Sequence, residues 1–186
     1  MRKLMVFNSV SLDGFFADAR GDMSWAHKQD AEWGEFVSGN ASGESVLVFG
    51  RVTYDLMAGY WPTAQALQAN RVVAERMNGL KKIVFSRTLH EAAWQNTRLI
   101  KSDIAGEIRK LKREPGPDLV IMGSGSIVSQ LTVARLIDEY QVVLCPIVLG
   151  SGRTLFAGVE QKVGLTLKKT RSFRNGNVVL WYEPRP

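Results

Sequence analysis

Residues 118 to 135 constrain this chain more than any other stretch. Leu119 to Met122 are four apolar residues in a row, the pattern of a buried strand, and they run straight into Gly123, Ser124, Gly125 and Ser126. Past that turn, Ile127, Leu131 and Ala134 recur at i, i+4 and i+7, so the glycines sit where a strand hands over to an amphipathic helix. Such a helix start presents unpaired backbone N–H groups and the positive end of the helix dipole, and glycine leaves room for an anion such as phosphate. A tight strand-to-helix turn with no ligand has the same signature, so other segments must decide.

Composition narrows the function classes. The 186 residues suffice for one hydrophobic core, and a single domain over 1–186 is expected. Hydrophobic residues at 45% and charged residues at 23% are ordinary for a globular protein, and no apolar run reaches the length of a membrane span. The basic start, Met1 to Lys3, is followed by too short an apolar run for a signal peptide, so a cytoplasmic protein is expected. A single cysteine, Cys145, excludes an intrachain disulfide, and His27 and His90 lack ligand spacing, so no metal is expected. The net charge of +6 suits a polyanion, but Lys and Arg are spread without the dense runs of a nucleic-acid arm. A phosphorylated small molecule accounts for that charge without nucleic acid or membrane as partner.

In chain order, residues 3–10 read as a central strand closed by a turn at Ser11 to Gly14, and a long polar loop follows. Asp13 fits either a ligand-facing carboxylate or a turn residue. Asp30, Trp33, Gly34 and Val37 lie at i, i+3, i+4 and i+7, which predicts a helix beginning near Asp30. A carboxylate facing inward among aromatics loses hydration, which favours the protonated form wanted for proton donation. Asp30 as a plain helix cap fits the same pattern. Residues 45–49 predict a second buried strand, and Gly50 to Tyr54 turn it into a helix with Arg51 and Thr53 in its first turn, where a guanidinium and a hydroxyl can hold phosphate. A helix over 64–77 leads to a third strand, 81–87, ending on Ser86 and Arg87, again a hydroxyl and a cation. A short strand within 91–101, a basic helix over 103–113, a strand over 136–146 and a loop over 150–156 follow. Asn175–Gly176 then signals a hairpin between 165–173 and 178–182. Strands alternating with helices predict a three-layer α/β fold, its mostly parallel sheet covered on both faces, with a C-terminal antiparallel hairpin. Ligands in such folds collect at the carboxyl ends of the strands.

The segments Gly50 to Tyr54, Ile83 to Arg87, Gly123 to Gly125, Leu136 to Pro146, Leu149 to Gly152 and Leu155–Phe156 together resemble the dihydrofolate-reductase-like superfamily. Within it the chain looks most like stand-alone proteins related to the C-terminal reductase domain of the bifunctional riboflavin-biosynthesis protein. The resemblance implies an NADPH-dependent oxidoreductase, similar to the 5-amino-6-(5-phosphoribosylamino)uracil reductases or dihydrofolate reductases, and a homodimer. By position it implies cofactor phosphates on Arg51 and Thr53, the 2′-phosphate on Ser86 and Arg87, and the pyrophosphate on Gly123, Ser124, Gly125, Ser126 and Ile127. Trp25 precedes Asp30 by the five residues that separate tryptophan and substrate carboxylate in bacterial dihydrofolate reductases, and this implies Asp30 as the catalytic group with Asp13, Trp25 and Trp33 in the substrate pocket. The chain also departs from its relatives. Leu80 stands where the folate glutamyl clamp needs arginine, and residues 58–78 form an insert, so dihydrofolate is not the expected substrate. The Trp-Ile-Thr-Gly and Asp-Asp-Pro segments of the riboflavin reductases are absent. A small heterocycle with a reducible C=N or C=O bond is the expected substrate.

Overall fold

The computed structural model describes residues 1–26, 30–41 and 43–185. Its main sheet is built from β1 (Leu4–Ser11), β3 (Ser45–Gly50), β4 (Lys81–Phe85), β5 (Thr97–Ile100), β6 (Asp118–Gly123), β7 (Glu139–Cys145), β9 (Leu165–Ser172) and β10 (Val178–Pro184). Their order across the sheet is β5-β4-β3-β6-β1-β7-β10-β9. From β5 to β7 neighbours run parallel, while β10 pairs antiparallel with both β7 and β9. The expected hairpin therefore closes one side of the sheet. Two short strands read in the sequence as loop, β2 (Phe15–Asp18) and β8 (Gly152–Thr154), pair antiparallel as a separate ribbon.

Alternation of side chains along the strands separates the core into two faces. Val46, Val48, Leu4, Val6 and Ile121 meet Ile108 and Leu111 of α5 (Ile104–Arg113) and Ile127, Val128 and Leu131 of α6 (Gly125–Val133). The intervening residues Leu47, Phe49 and Val84 face Tyr54 of α2 (Arg51–Tyr60) and Val73 and Met77 of α4 (Arg71–Gly79). Further along that face, α1 (Ala31–Ala41) sets Trp33 and Phe36 on Val143, Phe173 and Val179. Helices thus cover both faces, as strands buried on both sides require.

The helix expected over 64–77 is two helices, α3 (Ala64–Ala69) and α4. Asn70 divides them: its N–H donates to Ala66 O at 3.0 Å, ending α3, and its Oδ1 accepts from Val73 N at 3.1 Å, starting α4. Behind α4, the buried Lys82 donates from Nζ to the carbonyls of Asn78, Leu80 and Gln95 at 3.0, 2.7 and 3.2 Å and lies 4.4 Å from the centre of the Trp94 ring. Each ammonium proton has an acceptor, which is what makes a buried lysine tolerable.

Beyond Val6 the sheet opens. β1 pairs with β6 only from Leu4 to Val6, whereas it stays with β7 as far as Ser11 and β6 stays with β3 as far as Gly123. The carboxyl ends of β1 and β6 therefore part at the middle of the sheet.

Candidate active site

Most helices of this protein start on a side chain that satisfies their first N–H groups. Asp30 Oδ1 accepts from Glu32 N at 3.0 Å, Thr63 Oγ1 from Ala66 N at 3.2 Å, Asn70 Oδ1 from Val73 N at 3.1 Å, and Asp103 from Ala105 N and Gly106 N at 3.1 and 2.9 Å. The starts of α2 and α6 differ: Gly50 and Ser124 occupy their cap positions, and neither start receives a side-chain cap. These two ends abut. A Cβ on Gly50 would lie 2.2 Å from Ser124 Oγ, so only glycine lets the two turns close on each other. Gly123, at φ +121°, needs glycine both for its backbone and because a Cβ would meet Thr53 Oγ1 at 2.8 Å. Two helix dipoles thus direct their positive ends at one place.

That place is a groove of about 610 Å³ across the carboxyl ends of β4, β3 and β6. Of the residues singled out in the sequence, Arg51, Ser86, Arg87, Ser124, Ser126 and Ile127 line it together. Arg51 Nη1 pairs with Asp55 Oδ2 at 3.1 Å on the exposed side of α2, while no carboxylate among the described residues pairs with Arg87. Ser86 Oγ accepts from Thr88 N and Leu89 N at 3.2 and 2.9 Å, which shapes the turn after β4. Thr53 points elsewhere: it is buried under Gly123 and is not part of the groove lining. Gly125 likewise serves packing, since a Cβ there would lie 2.6 Å from Phe16 Cε1.

Sequence reasoning missed the opposite wall, which Lys101, Ser102 and Asp103 supply between β5 and α5, with Gln130 from α6. This is one more strand-to-helix turn, and the rule that found the other three applies to it equally. Its carboxylate is directed at its own helix, through the bonds to Ala105 N and Gly106 N.

The residues expected around a substrate are engaged differently. Asp13 accepts from Ser11 Oγ at 2.6 Å, from Leu149 N at 3.1 Å and from Gly150 N at 2.7 Å, so it ties the loop after β1 to the loop after β7. The Ser11 hydroxyl and those N–H groups hold its carboxyl below the usual carboxylate value. Trp33 is buried, its ring 5.0 Å from that of Phe173 and 5.3 Å from that of Phe36, and it belongs to the core beneath α1. Trp25 is partly buried against the same cluster and donates from Nε1 to Asp22 O at 3.1 Å. Asp30 is half-buried at the head of α1, with Oδ1 used as the cap. His27 lies outside the described residues.

Comparison with known proteins decides the family. The model of the RibD C-terminal domain matches residues 2–179, nearly the whole chain. The chain belongs to the RibD C-terminal domain family. This RibD-type chain is 30% identical over 182 residues to the uncharacterized protein YyaP of Bacillus subtilis (strain 168), covering 97% of this chain and 94% of that one. Among solved structures it is similar to a candidate riboflavin biosynthesis protein from Shewanella sp. PV-4, at 23% identity and TM-score 0.75, with 99% of each chain covered. Dihydrofolate reductase from Enterococcus faecalis, complexed with NADP(H) and RAB-propyl, aligns at 14% identity and TM-score 0.65 over 99% of this chain and 97% of that one. At such identities these structures establish a shared dihydrofolate-reductase-like fold. No helix among the described residues of the RibD-type domain is long and apolar enough to cross a membrane.

Proposed function

We propose that the protein is an NADPH-dependent reductase acting on a C=N or C=O bond of a small heterocycle, pterin-like or ribosylaminopyrimidine-like, and so tied to riboflavin- or folate-type metabolism. The observation that carries this reading is the abutment of two uncapped helix starts at a groove that also presents Arg51, Arg87 and Lys101. The donor set suits a nucleotide with an additional phosphate. Arg87 with the hydroxyls of Ser86 and Thr88 offers a cationic corner for a 2′-phosphate, and the helix starts with Ser124 and Ser126 offer N–H and O–H groups for a pyrophosphate. NAD sites instead set a carboxylate against the ribose hydroxyls, and the nearby carboxylate, Asp103, is held by its own helix.

When bound, the reduced nicotinamide supplies the hydride. The chain's part is to hold and orient both partners and to manage one proton. Asp30 is assigned that last role: Oδ1 is fixed by Glu32 N–H, leaving Oδ2 to orient or protonate the heterocycle, directly or through water. Membership of the RibD C-terminal domain family and the shared fold with a dihydrofolate reductase support the assignment. The backbone hydrogen bonds that occupy Asp13 and Asp30 favour one other reading, a nucleotide-binding module without turnover.

The test is titration of NADPH, with NADH beside it, followed by tryptophan fluorescence, together with a screen of pterins and pyrimidine ribosylamines for NADPH oxidation. Saturable binding with turnover supports the reductase, and binding without turnover supports the module. Absence of saturable binding removes both. The reading includes a cytoplasmic homodimer, for which β9 offers an open edge strand with its residues after Leu165 all exposed. Light scattering that returns a mass near 20.7 kDa removes the dimer.

A further inference from the structure

Arg171 lies on the edge strand β9, directly opposite Val179 of β10. Val179 is buried in the cluster beneath α1, and residues opposite each other in a sheet share a face, so Arg171 stands on the face that α1 covers. Its guanidinium carbon lies over the ring of Phe173, 4.5 Å from the centre, and over that of Phe36 on α1, at 5.6 Å. From there Nη2 donates to Glu32 Oε1 at 3.3 Å, and the other oxygen of that carboxylate, Oε2, accepts from Arg174 N at 3.4 Å. Glu32 is the second residue of α1, and its own N–H donates to Asp30 Oδ1 at 3.0 Å.

The two ends of Glu32 thus join the terminal hairpin to the head of α1. Trp33 holds the same turn down through its ring contact with Phe173 at 5.0 Å, but apolar contact carries little direction of its own. A carboxylate with each oxygen on a different donor of the hairpin restrains how the first turn rotates and slides. Because Glu32 N–H fixes Oδ1 of Asp30, the same restraint sets where Oδ2 points. Stability does not account for the link, since the Arg171 and Glu32 side chains are 44% and 35% exposed and ion pairs so exposed contribute little. We propose that Arg171 is a positioning residue of the reductase, which holds the first turn of α1 through Glu32 and so directs Oδ2 of Asp30 at the substrate. This rests on the role given to Asp30 in the reductase reading above, and it adds that a residue on the edge of the sheet sets the geometry of the proton-bearing group.

Arg171→Met keeps an unbranched apolar stem for the two rings and removes the charged fork, and Arg171→Lys restores the charge. Without any ligand, amide exchange at Glu32, followed by NMR, reads the cap directly; Val73, whose N–H is held by Asn70 at the start of α4, is the reference. Exchange at Glu32 is expected to quicken about twofold to fivefold in Arg171→Met, the size of one exposed ion pair, with Val73 unchanged and Arg171→Lys lying between that variant and the wild type. Unchanged exchange at Glu32 overturns the proposal, and so does equal quickening at Val73, which would make Arg171 a general prop of the fold. On a substrate from the screen, Arg171→Met is expected to lower kcat about threefold to tenfold with KM for NADPH unchanged, and to have no further effect in an Asp30→Asn background. The same loss in that background, or a loss carried by KM for NADPH, overturns the proposal. A wild type that turns over no compound of the screen removes the reductase reading itself, and the positioning role with it, a result that no variant can mimic.

Discussion

The two ends of this site are built in opposite ways. Around the groove, donors are left open: α2 and α6 start without a side-chain cap, and Arg87 has no carboxylate partner among the described residues. Around the region expected to take a substrate, the notable side chains already have partners within the chain, Asp13 in two loops, Asp30 at a helix start and Trp33 in an aromatic cluster. Open donors are free to take an anion from solution, whereas engaged groups must either share their remaining acceptor capacity with a ligand or serve the fold alone. The groove end is therefore specified by the backbone itself, and the end proposed for a substrate depends on a few side-chain atoms.

The sharpest way to break this contrast is Asp30→Asn. Asn caps a helix about as well as Asp, so stability should change by less than about 0.5 kcal/mol, while loss of the proton-bearing group should lower turnover by about 10²- to 10⁴-fold. A variant that keeps full turnover on a substrate found in the screen returns Asp30 to a purely capping role. Trp33→Ala tests the opposite assignment. Removing a ring this buried should cost about 3–5 kcal/mol of stability in a denaturant melt, and a variant that melts like the wild type would place Trp33 in a pocket instead of a core.

At the open end, Arg87→Ala should weaken NADPH by about 1.5–3 kcal/mol and leave NADH nearly unchanged, because one charged hydrogen bond to the additional phosphate is lost. Equal weakening of the two nucleotides in parallel titrations would remove Arg87 from the 2′-phosphate. The smallest effect belongs to Asp13. Its carboxyl is held below the ordinary value of 3.8, so its contribution to stability is present above that value and is lost as pH falls through the lower, folded value. Asp13→Ala should flatten that acid-side decline in thermal melts, and a curve still falling as steeply would assign the decline to other carboxylates.

Local pattern carried most of the fold. Apolar runs such as Val46 to Phe49 and Leu119 to Met122 marked the central strands, and the Asn175–Gly176 turn marked the terminal hairpin. It failed where structure rests on distant partners. Phe15–Asp18 and Gly152–Thr154 are too short to show a period and become strands only by pairing with each other. Asn70 was hidden inside an otherwise helical stretch because a residue that ends one helix and starts the next leaves the apolar spacing nearly intact. At the site, hydroxyls, cations and glycines after strands were visible in sequence and converge on the groove, but the direction of each side chain was not, which is why Thr53 and Asp13 face other tasks. The parting of β1 and β6 gave no signal at all, since it lies in where two strands cease to pair.

That cessation also has a mechanical consequence. β1 and β6 are joined through three residue pairs, against seven between β1 and β7 and five between β3 and β4. The sheet is thus expected to bend as two plates sharing a short seam, where the fewest register pairs resist. A molecule lodged in the seam would clamp the plates together, so its arrival should register as stiffening of strands on both sides, well beyond the atoms it touches.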